Sequence, residues 1–427
     1  MNILILGATG FIGSHIAAKL ASDGHKVTGI GRDIARLNAR MPQVTWLRAD
    51  IATRLHASDW TDLLAKQDVV VNCAGALQDG LKDRLSDLQT RSQMALYAAA
   101  KTAGIKLIVQ ISAETSGPSG TTDFLATKRA ADEALAKSGL AHVILRPALV
   151  IGRNGFGGTA LIRALAAFPL ILPLVHTSSV VATVTIDDVA NAVSLAVTGD
   201  IASGSDLTLA GQSETLGGIV TRHRNWLGLP PAPIVGLPAL VAAPVSWVAD
   251  AIGWLGWRSP LRSTAMQVMS DGVNVRGPTT RAPFQLEDMT GFLARNPAGT
   301  QDIWFARLYL LKPLIFFCLS AFWIASGLIP LLDPTRAAHH LESLTDNTTA
   351  VALTFVTCAI DVFLGATVLF RPRARLALVG MMAVTLAYIT GSLLIEPSIW
   401  LDPLGPMIKT LPALLLAVTG LAILDER

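Results

Sequence analysis

Charge is scarce in this sequence. Asp, Glu, Lys and Arg make up only 15% of its 427 residues, while hydrophobic residues reach 51%. An ordinary soluble domain carries about 25% charged residues, so a deficit of this size places part of the chain in lipid. The net charge of +3 is too small and too scattered for a nucleic-acid binder. Cysteine is nearly absent: Cys73, Cys318 and Cys358 lie far apart, with neither metal-ligand spacing nor a disulfide framework. The last two sit in apolar runs, where cysteine behaves as a small buried hydrophobe. Tyrosine is as rare, limited to Tyr97, Tyr309 and Tyr388. Nor is a basic leader visible. Met1-Asn2-Ile3-Leu4-Ile5-Leu6-Gly7 already reads as a buried strand, which implies an N-terminal domain that stays in the cytoplasm.

What is present is unevenly distributed. From residue 1 to about 150, strand-like and helix-like stretches alternate. Strands are expected over 3–6, 26–30, 44–48, 69–72, 106–111 and 141–145, and helices over 12–22, 89–102 and 127–137. Regular alternation implies right-handed crossovers and a parallel sheet covered on both faces. Residues 150–230 are rich in Gly and Pro and read as a smaller, partly helical lobe. The apolar stretch 234–257 is broken by Pro238 and Pro244 and carries Asp250 and three tryptophans. It reads as a helix lying on a membrane surface, or packed on the lobe, rather than a span.

Four C-terminal runs, near 308–332, 350–370, 376–395 and 406–424, approach or exceed the roughly 20 residues that cross a bilayer. Arg371, Arg373 and Arg375 crowd the loop between the second and third, and Arg295, Arg307 and Lys312 flank the first. The loop after the first carries Asp333, Glu342 and Asp346 against Arg336, and that after the third carries Glu396 and Asp402. Positive residues favour the cytoplasmic side, so both termini are expected there, in an inner-membrane protein. The expected fold class is an α/β Rossmann-type, doubly wound parallel sheet followed by an all-α four-helix transmembrane bundle. The expected domains are 1–230, a nucleotide-binding domain with its small lobe; 231–304, an interfacial or linking helical region; and 305–427, the four-span membrane domain.

Gly7, Gly10 and Gly13 follow a strand and open a helix, the context in which a glycine fingerprint carries meaning. Gly7 permits the tight turn, Gly10 the approach of a pyrophosphate to the backbone, and Gly13 close helix–sheet packing. The first helical amides and the helix dipole then face the phosphates. The full motif, Gly7-Ala8-Thr9-Gly10-Phe11-Ile12-Gly13, resembles the extended and atypical short-chain dehydrogenase/reductases. Ala49-Asp50-Ile51, Asn72-Cys73-Ala74-Gly75, Ile111-Ser112-Ala113 and Leu145-Arg146-Pro147-Ala148-Leu149-Val150-Ile151-Gly152 resemble further segments of that family in order. Within it, the likeness is strongest to the branch containing the nucleotide-binding accessory subunit of complex I. The resemblance implies cofactor contacts from Gly7, Thr9, Gly10, Phe11, Ile12, Gly13, Arg32, Asp50, Ile51, Cys73, Ala74, Gly75, Ser112, Lys128 and Pro147, and catalytic roles for Ser112 and Lys128.

Cofactor choice turns on Gly31-Arg32-Asp33 at the end of the second strand. An acidic residue at the strand end would hold the ribose hydroxyls of NAD. Arg32 instead offers a guanidinium for the 2′-phosphate of NADP, and Asp33 sits one place too far along. NADP(H) is therefore favoured, with NAD as the alternative. The family's proton donor is a tyrosine four residues before the lysine, and here that position is Phe124. Phenylalanine has no ionisable hydroxyl and cannot do general acid–base work. Asp123, Thr122 or a water is the substitute to weigh, while Tyr97, on an earlier helix, reads as core. Asp187-Asp188 reads as a helix cap, and His176 and His339-His340 lack partners for a metal site.

The C-terminal spans with their acidic outer loop resemble the DoxX-like family of small membrane proteins, on hydropathy and spacing. Asp361 lies inside the second run, where a carboxylate is costly and faces a partner or a watery cavity. Two readings follow. One is a membrane-anchored, NAD(P)(H)-dependent oxidoreductase acting on a lipophilic quinone-like or carbonyl substrate. The other is a non-catalytic nucleotide-binding accessory or assembly protein of a membrane redox complex. The bilayer is a partner in both.

Overall fold

Ile3, Leu4, Ile5 and Leu6 are all fully buried, which consecutive residues achieve in a strand covered on both faces. They belong to β1 (Asn2–Leu6), an interior strand of a parallel sheet whose other strands are β2 (Lys26–Gly31), β3 (Thr45–Arg48), β4 (Val69–Asn72), β5 (Leu107–Ile111), β6 (His142–Pro147), β7 (Ser205–Leu209) and the short β8 (Thr280–Arg281). Across the sheet the order is β8-β7-β6-β5-β4-β1-β2-β3, with every pair parallel. In this computed structural model the chain is described over residues 1–32, 34, 37–75, 84–114, 122–270, 280–341, 345–403 and 405–425. Asp33 and Glu342, weighed above, lie outside these residues.

Side chains alternate between the two faces of β1, as the period of a strand requires. Ile3 and Ile5 pack with Ile16 and Leu20 of α1 (Phe11–Ser22). Leu4 and Leu6 pack with Leu96 and Ala100 of α2 (Ser92–Ala103) and Leu135 of α3 (Asp123–Lys137). A further helix, α4 (Ile186–Thr198), adds Val189 and Val193 to the α1 side. The strand order reverses between β1 and β4, and a doubly wound sheet opens its ligand crevice at the carboxyl ends of such a pair.

The expected elements stand within a few residues of their places. The helix expected over 127–137 begins earlier, at Asp123, and the one expected over 89–102 is preceded by a π-helical turn, Asp87–Arg91. The lobe is less purely separate than the sequence implied, because β7 returns from it to pair with β6. Thr185 caps α4 by accepting from the Asp188 amide at 3.0 Å, and the Asp188 carboxylate accepts from the Glu287 amide at 2.9 Å. The cap is therefore Thr185 and not Asp187 or Asp188, which lie inside the first turn, where their charge suits the helix dipole.

The chain divides into two compact units: Met1–Gly253 with Ser259–Ala306, and Trp254–Arg258 with Arg307–Arg427. The helix α5 (Ala239–Trp254) runs up to the second unit's first segment. The second unit is helical throughout its C-terminal part. The helices α6 (Thr300–Leu328, continued by the turn Ile329–Leu332), α7 (Asn347–Thr367) and α8 (Ala374–Ile395) are long and apolar enough to cross a membrane. The fourth run, expected over 406–424, forms a helix of 13 residues, α9 (Thr410–Ala422). At 1.5 Å per residue that is about 20 Å, less than the roughly 30 Å of hydrocarbon, because residues 406–409 form turns instead.

Small residues let α6 and α7 approach closely. A Cβ on Gly327 would lie 2.5 Å from the Cys358 carbonyl oxygen, and one on Gly365 would lie 3.0 Å from that of Ser320. This is the packing by which membrane helices associate. Between the helices the Asp361 carboxylate accepts from Tyr388 Oη at 3.0 Å and from Ser326 Oγ at 3.1 Å.

Candidate functional site

The glycine turn closes on itself before α1 starts. Gly10 N donates to Gly7 O at 2.9 Å, and Gly7 has φ of 71°, a left-handed value that strains any residue with a Cβ. A Cβ at Gly7 would also meet the Cys73 carbonyl oxygen at 2.9 Å, and one at Gly13 would meet Gly7 O at 2.3 Å. Gly10, the residue preceding α1, is extended and brings no side chain to cap the helix. The first amides of α1, from Phe11, Ile12 and Gly13, are therefore left for another acceptor. Uncapped amides at the positive end of a 12-residue helix, with glycine clearing the approach, fit a dinucleotide pyrophosphate.

Neighbouring strand ends close round this turn. Cys73 and Ala74 follow β4, and Cys73 N donates to Leu6 O at 3.0 Å. Burial pushes the Cys73 thiol up to about 12, so it is a neutral wall and not a nucleophile. Gly31 ends β2 against Thr9: a Cβ there would lie 2.7 Å from the Thr9 methyl. Arg32 comes next and is exposed. Asp50 and Ile51 follow β3, whose end is joined to that of β2 by Ala49 N donating to Gly31 O at 3.2 Å. Asp50 Oδ1 accepts from Ala52 N at 3.1 Å, and the Ile51 side chain is core. Pro147 is buried at the end of β6.

A second group gathers at β4, β5 and α3. Lys128 is only 7% exposed, and its Nζ donates to Ile111 O at 3.1 Å. A Cβ on Gly75 would lie 3.6 Å from that Nζ, and the Phe124 ring centre is 5.9 Å from it. Burial lowers the Lys128 pKa, against the opposing pull of Asp132 and Cys73. Ser112 follows Ile111 and is buried, and its Oγ donates to Asp132 Oδ2 at 2.5 Å. Burial raises the Asp132 carboxyl above the usual range, opposed by Arg146 2.9 Å away, by Ser112 and by Lys128. Arg146 in turn forms two bonds to Asp206 of β7, at 2.7 and 2.9 Å, and donates to Ala113 O at 2.9 Å.

The structure thus brings Gly7, Cys73 and Ala74 together at one point, and Gly75, Ile111 and Lys128 at another, one strand end apart. Arg32, Asp50 and Ile51 lie at the outer ends of β2 and β3, on the far side of the glycine turn from Lys128. Asp132 was missed in the sequence. It lies four residues after Lys128, hence on the same helical face, and this spacing was the available signal. The polar support of β4 was missed as well. Asn72 Nδ2 donates to Gln93 Oε1 at 2.7 Å and Gln110 Oε1 at 2.8 Å, while its own oxygen accepts from Ala74 N at 3.1 Å. A buried network with its bonds made fixes backbone position, here of the Cys73–Gly75 turn. Tyr97 is core, as expected, 4% exposed and next to this network. Phe11 stacks on Phe156 with centroids 6.2 Å apart, and a Cβ on Gly152 would meet the Phe11 ring at 2.7 Å.

Residues 7–194 match the family model described as NAD(P)H-binding, and residues 320–418 match that of the DoxX-like family. Among curated proteins, the ceramide reductase of Caulobacter vibrioides is 28% identical over 190 residues, 44% of this chain and 58% of its own length. An uncharacterized chloroplastic protein of Arabidopsis thaliana is 26% identical over 176 residues, 40% of this chain and 57% of its own. The chain therefore spans a little under three-fifths of the length of these relatives. Among solved structures, UDP-glucose 4-epimerase from Thermotoga maritima with UDP-glucose has a TM-score of 0.46 at 18% identity, over 56% of this chain and 86% of that one. MoeE5 in complex with UDP-glucose and NAD has a TM-score of 0.48 at 18% identity, over 73% of this chain and all of that one, 100%. The chain thus joins a Rossmann-like region similar to the NAD(P)H-binding family to a C-terminal region similar to the DoxX-like family, whose helices are long and apolar enough to cross a membrane.

Proposed function

We propose that this protein is a membrane-anchored, NAD(P)(H)-dependent oxidoreductase that reduces a carbonyl on a lipophilic substrate. The observation that carries the reading is the buried Lys128 amine beside Gly75 and Ile111 O, one strand end from an uncapped glycine turn. A merely nucleotide-tolerant fold has no need to bury an ammonium, which costs free energy unless a partner compensates it. The similarity to a ceramide reductase supports a lipid carbonyl over a quinone. Arg32 favours NADPH over NADH, since a guanidinium suits a phosphate.

In this reading the bound nicotinamide supplies hydride, and the chain supplies binding and the proton. The amides of Phe11, Ile12 and Gly13 hold the pyrophosphate, with Thr9, Cys73, Ala74 and Gly75 as walls. Asp50 and Ile51 border the adenine, Pro147 borders the nicotinamide, and Lys128 holds the nicotinamide ribose. Phe124 gives no proton; in its place protonated Asp132 passes its proton to Ser112 Oγ while the Ser112 hydroxyl proton moves to the substrate oxygen, and solvent reprotonates Asp132. The arginines of the loop between α7 and α8 favour the cytoplasmic side of an inner membrane for the Rossmann domain. The domains are then 1–230, 231–304 and 305–427.

Phe124 itself favours a second reading, a nucleotide-binding accessory or assembly protein of a membrane redox complex. One experiment separates the two. The detergent-solubilised protein is given NADPH, and its absorbance is followed against long-chain ketones, a ketosphingoid carbonyl and quinones. Multiple turnovers on a carbonyl support the reductase. Tight NADPH binding with no oxidation across the panel supports the accessory role and overturns the first reading.

A further inference from the structure

The helix α5 is amphipathic the wrong way round for water. Leu240, Trp247 and Trp254 recur every seven residues, with Val241 and Val248 beside them, and so share one face. That face is exposed: Leu240 by 85%, Trp247 by 70% and Trp254 by 63%. The residues turned inward are small, Ser246, Ala249 and Gly253. The helix's single acid, Asp250, is held by Arg262 at 3.1 Å and by the Ser263 amide at 3.3 Å. A contiguous apolar face of this kind marks an interaction surface.

What covers it follows from where the helix ends. Trp254–Arg258 belong to the unit of membrane helices. Leu255 O accepts from Arg371 N at 3.0 Å, and Trp257 Nε1 donates to Leu369 O at 2.6 Å. The Trp257 ring packs on Phe316 at 4.6 Å, with the Arg371 guanidinium 5.6 Å from its centre. Leu369 and Arg371 lie in the turn between the spans α7 and α8, followed by Arg373 and Arg375. A turn between two spans sits at the water boundary, where tryptophan and arginine concentrate. Trp254, the last residue of α5, belongs to the same unit as this turn. With 16 residues, about 24 Å, the helix is also too short to cross the hydrocarbon.

We propose that α5 lies in the plane of the bilayer surface, with Leu240, Val241, Trp247, Val248 and Trp254 in the boundary between headgroups and acyl chains. The occupant of this face is lipid, and the helix is a second, monotopic contact besides the spans. The inference does not depend on turnover, so it can stand or fall apart from the reductase reading.

The test uses the full chain in nanodiscs of phosphatidylcholine and phosphatidylglycerol. Nitroxide labels are placed through Val248→Cys, Leu240→Cys and, as an aqueous control, Lys137→Cys, in a Cys318→Ala background whose own labelling serves as the blank. Retained NADPH binding certifies folding. The expected result is that labels at 248 and 240 relax several-fold more with oxygen than with a water-soluble nickel chelate, and that the label at 137 shows the reverse. Greater accessibility to the nickel chelate at 248 and 240 would overturn the proposal. So would shielding from both agents together with dipolar broadening between chains, which would assign the face to a second copy.

Discussion

Ser112 Oγ lies 2.5 Å from Asp132 Oδ2, and both are buried beside Lys128 at the end of β5. The pair is made by two segments twenty residues apart, brought together where Lys128 of α3 bonds to Ile111 O at the end of β5. The proposed reductase reading takes this as its protic pair, because Phe124 stands where a tyrosine was expected.

Removal of either member tests its part in proton transfer. Ser112→Ala and Asp132→Asn are each expected to lower kcat by about 10²-fold, the lower end of what general acid catalysis contributes. NADPH affinity is expected to change less than about threefold. Burial raises the Asp132 pKa, so wild-type kcat should fall as pH rises through that raised value, and Asp132→Asn should flatten this limb. A pH–rate profile identical in the variant and the wild type would remove Asp132 from the mechanism.

Two glycines, Gly13 of the turn and Gly158 of a separate helix, predict opposite outcomes. Gly13→Ala puts a Cβ 2.3 Å from the Gly7 carbonyl oxygen, a backbone clash of the overpacking kind that costs about 1–3 kcal/mol, and NADPH binding should be lost. Gly158→Ala meets nothing within 4 Å in the first turn of its helix, and should be neutral or stabilising by about 0.5–1 kcal/mol. Melting curves with and without NADPH read both effects.

Arg32 predicts cofactor preference. A charge-assisted contact to a phosphate contributes about 1.5–3 kcal/mol, so Arg32→Ala should weaken NADPH by about tenfold or more. NADH should be unaffected. Equal losses for both cofactors, measured by fluorescence titration, would rule out a 2′-phosphate contact.

His223 sets an acid limit for the nucleotide-binding unit. It is fully buried, its Nδ1 bonds to Ile219 O at 2.8 Å, and its Nε2 has no partner among the described residues. Burial lowers its pKa from 6.5 to about 4. A depressed value means that the unfolded chain takes up the proton first. The stability present above pH 6.5 is therefore lost progressively as pH falls towards about 4. His223→Gln should have a flatter melting temperature between those pH values, and an unchanged slope would contradict the assignment.

Asp361 is bonded by Tyr388 and Ser326 across three spans. That arrangement fits a packing bond between helices better than a proton path. Asp361→Leu should lower the detergent melting temperature, while NADPH oxidation by the remaining folded protein stays within about twofold. A selective loss of turnover in a stably folded Asp361→Asn protein would restore a functional role.

Much of this molecule was legible because its signals are local. The Gly7–Gly13 turn, the strands as far as β6, and three of the spans each follow from spacing, period or run length within one segment. Residues that combine distant segments were not legible in this way. Ser205–Leu209 follows the Gly- and Pro-rich lobe, and its place in the main sheet depends on pairing with the distant strand β6. Asp132 reads as one more charge on a helix until Ser112 and Arg146 close round it.

The sequence by itself determined the glycine turn before α1, the phenylalanine four residues before Lys128 and the apolar C-terminal helices, because each is written in contiguous residue types whose conformational preferences act within a few bonds. Tertiary structure alone decided that Ser112 and Asp132 meet beside Lys128, which side of α5 faces outward, and how Asp361 is satisfied. Those outcomes depend on burial and on hydrogen-bond partners tens of residues away, and a buried charge has no defined chemistry until the fold has chosen its neighbours.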